Sequence, residues 1–243
     1  MISKAAWATA LRVLHQVQHD RRTVALILLV PMVLLIPWVF DDHPEVFDRV
    51  GLPLVGVFPL VSMFLVTSIT MLRERVSGTL ERLMTLPMSK LDLLIGYALA
   101  FGSLATVQAT LVALVGFVFL DLEAEGPKAL VVGLAVLNAL LGMSLGLFVS
   151  AFARTEFEAV QFMPALLIPQ FLLSGVMIPR DQMATALEYA SLALPMRYGL
   201  DAMERVRDRS DFQWELALDA GVVGAVTLGL LALAALTMRR RTT

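Results

Sequence analysis

Long uncharged runs alternate along this chain with short stretches that carry nearly all of its charge. Six runs lack Asp, Glu, Lys, Arg and His altogether: residues 23–40, 50–72, 93–120, 129–153, 159–178 and 220–238. Crossing a hydrocarbon core about 30 Å thick takes about 20 apolar residues of helix. The pattern therefore predicts an all-α integral membrane protein with six transmembrane helices. No linker, low-complexity tract or repeat interrupts them, which predicts a single transmembrane domain over 1–243.

Residues 1–22 follow another pattern. Trp7, Ala10, Leu11, Leu14 and Val17 recur at helical spacing, while Lys4, Arg12, His15 and His19 face elsewhere. This predicts an amphipathic helix lying in the cytoplasmic interface of the membrane. The first uncharged run has charged and polar residues before it and no small-residue cleavage site after it, so it is expected to stay as an anchor. His15 and His19 stand four apart, but without a third ligand they read as a solvated face rather than a metal site.

Within the runs, Pro31, Pro37, Pro53, Pro59, Pro164 and Pro169 each remove a backbone donor. They read as tolerated bends, with gating hinges as the alternative. Asn138, Gly142, Gly146 and Ser150 repeat every four residues, a small and polar stripe that lets a second helix come close.

The charges fix an expected orientation. Lys4, Arg12, Arg21, Arg22, Arg73, Arg75, Arg82, Lys90, Arg154 and Arg239 to Arg241 fall on the side of the termini. The first two loops opposite hold only Arg49 and Lys128 among seven acids. Both termini are thus predicted to be cytoplasmic in a multi-pass protein of the plasma (inner) membrane. Residues 179–219 carry five basic and eight acidic side chains, which weakens this rule without reversing it. The composition, 58% hydrophobic and 16% charged, departs from that of soluble domains in the same direction. A net charge of −2 gives no argument for nucleic acid, and the absence of cysteine excludes disulfides and thiolate chemistry.

Two energy sources are missing from the residues. Transport coupled to protons or ions usually needs ionisable groups within the membrane, and the six runs have none. Their polar residues (Ser62, Thr67, Ser68, Thr70, Ser103, Thr106, Gln108, Thr110, Asn138, Gln161 and Gln170) read as interhelical contacts. A phosphate-binding loop needs Gly-Lys-Ser or Gly-Lys-Thr. The only lysines, Lys4, Lys90 and Lys128, follow Ser3, Ser89 and Pro127. No cofactor, metal site or catalytic constellation is expected in this chain.

Residues 73–97 carry the densest local signals. Gly78 should break the preceding helix, Thr79–Met84 can form a short one, Pro87 should end it, and Ser89 with Asp92 reads as a capping box. Such a helix could dock in a groove of a soluble partner; the plain alternative is a solvated hairpin carrying topogenic charge. Arg73, Glu74, Arg75, Gly78, Thr79, Leu80, Glu81 and Leu83, with Pro87, Ser89 and Leu94, resemble the hallmark of ABC type-2 transporter permeases. The resemblance implies that this segment, including Arg82 and Met84, is the coupling helix that contacts an ATPase subunit. Val76 departs from the charged residue common there.

A second patch, residues 171–183 and 194–203, is similar to multidrug and daunorubicin-resistance-type efflux permeases. Residues 151–159 fit the same group. For Gly175, Pro179, Arg180, Asp181, Gln182 and Pro195 the resemblance implies a hairpin that re-enters the outer leaflet. It further implies the permease subunit of an exporter for a hydrophobic or amphiphilic substrate, a drug or a lipid. A separate ATPase subunit would bind MgATP, and a second permease subunit would complete a homodimer. Two other classes remain open, a non-transporting membrane partner of an ATPase and a secondary carrier.

Overall fold

The computed structural model describes residues 3–21, 23–25, 27, 44–85, 89–176, 178, 180–209, 211 and 214–237. Every element among them is helical. In chain order these are α1 (Lys4–His19), α2 (Pro44–Val76), α3 (Thr79–Met84), α4 (Lys90–Phe119), α5 (Lys128–Val149), α6 (Glu156–Leu172), a 3-10 turn (Arg180–Gln182), α7 (Thr185–Ser191), α8 (Pro195–Asp208) and α9 (Trp214–Thr237).

Among the described residues four helices are long and apolar enough to cross a membrane: Val50–Val76 within α2, Leu91–Phe119 within α4, all of α5 and all of α9. They correspond to the second, third, fourth and sixth predicted spans. Of the first, Thr23, Val24, Ala25 and Ile27 are helical, and the rest, with Pro31 and Pro37, lies outside the described residues. The fifth is shorter than expected. α6 has 17 residues, about 25 Å at 1.5 Å per residue, and gives way at Leu173 to a turn where Gly175 holds φ +103°. Pro53 and Pro59 lie inside α2 and Pro164 and Pro169 inside α6, and the helices run on through all four.

The ends of the elements follow local chemistry. Ser3 caps α1 by accepting from the Ala6 amide at 3.1 Å. Thr155 accepts from the Glu158 amide at 3.1 Å to open α6. The predicted capping box forms in full at α4: the Asp92 amide donates to Ser89 Oγ at 3.0 Å and the Ser89 amide to the Asp92 carboxylate at 3.0 Å.

α2 occupies the centre, most of its described side chains buried between α4, α5, α6 and α8. The small stripe on α5 does what its spacing predicts. A Cβ on Gly142 would stand 2.7 Å from the Leu60 carbonyl carbon, and one on Gly146 would stand 2.5 Å from the Phe64 carbonyl oxygen. The backbones of α2 and α5 therefore touch directly at Gly142 and approach closely at Gly146, where the Thr67 hydroxyl also packs. Asn138 continues the stripe between Gly56 of α2 and Gly199 of α8.

α1 buries Ala6, Thr9, Ala10, Val13 and Val17 against the first turns of α4, where Gly96 admits the Ala6 carbonyl and Thr9. The buried face is rotated from the predicted apolar one, leaving Trp7 and Leu11 exposed. α1 thus has one face on the bundle and an adjoining apolar face open. α8 is also sunk into the protein: Met196, Leu200, Met203 and Val206 are buried. Pro195 starts this helix at its first turn, where a missing amide costs nothing.

Candidate functional site

α2 ends in Arg73, Glu74, Arg75 and Val76, and Ser77–Gly78 turn the chain into α3. Gly78 adopts φ +71°, a left-handed conformation open to glycine at little cost, and so breaks the helix where the sequence predicts. Ser77 Oγ bonds the Glu74 carbonyl at 3.2 Å and lies 2.9 Å from Thr79 Oγ1.

The three charged residues before this turn do not extend into solvent together. Arg73 reaches Glu156 at the start of α6 (2.7 and 3.1 Å) and Asp20 just after α1 (3.3 Å). Glu74, only 4% exposed, receives both terminal nitrogens of Arg12 from α1 (2.9 and 3.1 Å) and the Tyr97 hydroxyl from α4. Arg75 donates to the Ser150 carbonyl after α5 at 3.1 Å. Each consecutive residue is therefore tied to a different part of the bundle. Arg12, which the sequence pattern sets only apart from the apolar face, is the clasp between α1 and α2. Its five-donor fork suits a carboxylate held in two contacts. Tyr97 and Glu156 also escape a reading by hydropathy, because one lies in an uncharged run and the other looks like ordinary flanking charge.

α3 is held from below and open above. Leu80 is 3% exposed and joins the core, Leu83 packs against that core, and Arg82 faces outward. Val76, 70% exposed, sits beside it at the end of α2. Glu81 and Met84 lie in the helix, but their side chains are outside the described set, as is Pro87. A cavity of about 280 Å³ opens beside α3 and is lined by Asp20, Arg73, Glu74, Ser77 and Thr79 among others. Among the described residues no group of three or more His, Asp or Glu could hold a metal. His15 and His19 instead lie with ring centroids 4.2 Å apart, His19 Nδ1 2.8 Å from the His15 carbonyl.

Arg73 makes one of these ties sensitive to acid. Its hydrogen bond holds the Glu156 carboxyl below its ordinary value, partly opposed by desolvation. A depressed carboxyl contributes stability above its unfolded pKa, about 4.3, and loses it as pH falls through the lower folded value. Amide protection at the start of α6, taken relative to the intrinsic exchange rate at each pH, is expected to be flat from neutral pH to about 5 and to fall below about 4. The effect is small because the pair is half exposed.

The remaining predicted residues gather at the other end of the bundle. Arg180 lies over Gly175, where a Cβ would stand 2.8 Å from its Nε, and it donates to the Ser174 carbonyl at 3.2 Å and to Asp201 of α8. Gln182 is exposed on the 3-10 turn, Pro179 lies outside the described residues, and so does the Asp181 side chain. Arg197 of α8 bonds Ser191 and approaches Asp201 at 3.9 Å, which ties α7 to α8.

Comparison with known proteins places these two ends in context. The chain is 29% identical over 177 residues to the probable multidrug ABC transporter permease YbhR of Escherichia coli, covering 72% of this chain and 48% of that protein. It is 28% identical over 177 residues to ABC transporter G family member 20 of Dictyostelium discoideum, 72% of this chain and 24% of that protein. A further permease, YbhS of Escherichia coli, is 25% identical over 141 residues, 58% of this chain and 37% of its own length. The chain thus spans less than half the length of the relatives it matches. The family description "ABC-2 type transporter" matches residues 7–206, from α1 through α8. With its long apolar helices, this all-helical, multi-pass membrane protein belongs to the ABC-2 type transporter family.

Proposed function

We propose that the chain is the membrane-spanning unit of an ATP-driven exporter for a hydrophobic or amphiphilic molecule. The ATPase unit lies outside these 243 residues, binds MgATP, and docks on α3. A second copy of the chain completes the translocation route. Both termini and α3 face the cytoplasm, α1 rests in the inner interface on Trp7 and Leu11, and the α7–α8 hairpin occupies the outer leaflet.

The observation that carries this reading is the construction of α3. Leu80 anchors it to the core, while Arg82 and Val76 present a charged and an apolar contact to a partner. Its neighbours Arg73, Glu74 and Arg75 link that docking point to α1, α4, α6 and the loop after α5. A push on α3 would enter α2 through the Ser77–Gly78 turn and be shared by these ties with most of the bundle. The coupling roles inferred from resemblance thereby divide, Arg82 for contact, Leu80 for anchorage and Arg73 to Arg75 for transmission, and the exposed Val76, a departure from the family pattern, adds an apolar contact.

Reconstitution with the ATPase in vesicles tests it. Arg82→Glu combined with Val76→Asp is expected to insert and fold normally. It should weaken ATPase binding by about 30-fold, the worth of one interface hot spot near 2 kcal/mol, and abolish ATP-dependent flux. Unchanged flux in a normally assembled complex would rule out α3 as the docking point. Flux driven by an imposed proton or sodium gradient would point to a secondary carrier, and ATPase binding without any flux to a non-transporting partner.

A further inference from the structure

The end of the bundle away from α3 holds a polar cavity that transport does not use in the reading above. It is an open pocket of about 250 Å³ lined by Arg180, Asp201, Glu204, Arg205, Asp208 and Arg209. Its depth can be read from the backbone. The amides of Glu125 and Gly126, just before α5, donate to the carbonyls of Arg207 and Val206 at 3.1 and 3.0 Å. Asp219, bonded to Arg205, lies five residues into α9, about 8 Å from its start at 1.5 Å per residue. The cavity therefore sits at the rim where two membrane-length helices begin, the level of lipid head groups.

The hydrogen bonds around it leave donors and an acceptor unspent. Asp201 is taken by Arg180 and Arg197. Asp208 is taken by Arg207 at 2.6 Å. Arg205 spends only its Nε, on Asp219 at 2.9 Å, so both terminal nitrogens make no bond among the described residues. Arg180 spends Nε and Nη2, which leaves Nη1. Glu204 is half-buried and has neither a hydrogen bond nor an ion pair among the described residues. Cation alone would face the arginines, and anion alone would face the carboxylates. A molecule bearing both charges satisfies both sets.

We infer that this cavity binds a zwitterionic head group, with a primary ammonium on Glu204 and a phosphate on the free nitrogens of Arg205 and Arg180. The ammonium must carry N–H, because an unpartnered carboxylate gains a charge-assisted hydrogen bond from it and none from a trimethylammonium. Phosphoethanolamine has this pair of groups, and the position at the rim favours phosphatidylethanolamine as its source over the free phosphomonoester. The site acts independently of what the protein moves.

Glu204 also gives the site a pH dependence. Burial raises its pKa; Arg207 and Arg180 oppose this, while Asp201 and Asp208 add to it. Arg205 with Asp219 from α9, and Arg209, complete the charges around the cavity. An ammonium binds the ionised form, so affinity falls as acid protonates Glu204.

The full chain in detergent, examined by native mass spectrometry with phosphatidylethanolamine, phosphatidylcholine and phosphatidylglycerol, tests the assignment. One phosphatidylethanolamine should be retained about tenfold more tightly than either other lipid, the worth of one charge-assisted hydrogen bond. Glu204→Gln should erase that preference, and Asp208→Asn, an equal change of charge at the same cavity, should keep it. Equal retention of the three lipids, a Glu204→Gln chain that still discriminates, or loss in both variants alike would overturn the site. Soluble phosphoethanolamine is expected to compete only weakly; competition as strong as the lipid's would overturn the lipid as source and assign the cavity to the free zwitterion.

Discussion

A Gly142→Leu chain should fail to assemble its bundle. Even the first carbon of the new side chain would lie 2.7 Å from the Leu60 carbonyl carbon and 2.8 Å from Leu60 Cα. Both are backbone atoms in the middle of α2, so no rotamer change can relieve the overlap and the two helices must part. Overpacking of an adaptable core costs about 1–3 kcal/mol; here the neighbour cannot adapt, and a loss above about 3 kcal/mol is expected. Gly133→Leu is the matched control on the same helix, since a Cβ there meets nothing within 4 Å, and it should stay within about 0.5 kcal/mol. Thermal or denaturant unfolding in one detergent compares the two. Equal behaviour would mean that α2 and α5 do not meet at Gly142.

The second large effect is expected at Glu74. Replacing it with alanine leaves the Arg12 guanidinium and the fully buried Tyr97 hydroxyl facing one another. Removing one partner of a buried ion pair costs about 3–5 kcal/mol. Arg12 keeps 30% of its side chain exposed, so about 2–3 kcal/mol is the expected share here. The loss should be local: faster amide exchange and protease cutting in α1, with α5 unaffected. In a double-mutant cycle, Arg12→Met should recover part of the deficit of Glu74→Ala because it removes the orphaned charge. Strict additivity would show that the clasp carries no coupling energy. In the proposed transporter the same variant should hydrolyse ATP with little export.

Much of the fold was readable because a bilayer rewards simple counting. The uncharged runs located α2, α4, α5 and α9, and the spacing of Asn138, Gly142 and Gly146 located the closest helix contact. Counting charges failed where charges have partners. α9 begins at Trp214, before the uncharged run, because Asp219 is helical and bonded to Arg205. α2 likewise extends to Val76 through three charged residues, each satisfied by a neighbour. α6 stops short of its run because Gly175 turns the chain so that Arg180 can reach Asp201, a long-range requirement invisible to hydropathy.

The candidate site was legible as a segment but not as a mechanism. Arg73 to Met84 stood out as a motif, yet nothing in a linear sequence shows that its first three residues are each tied to another element and that only part of α3 faces out. The missing information is the partner list. Arg12 is 62 residues from Glu74, Tyr97 is 23 away, and Glu156 is 83 from Arg73. Pairs so distant along the chain leave no periodic trace.

The tie from each of Arg73, Glu74 and Arg75 to a different part of the bundle has a mechanical consequence. Successive residues of an α-helix point about 100° apart, so three in a row spread over more than half of the helix circumference. A rod moored in this way at one end cannot spin about its own axis. If the proposed partner applies torque through α3, it cannot dissipate as twist in α2, and what remains is tilt or axial displacement, carried along the helix past Gly56, on which Met203 of α8 rests.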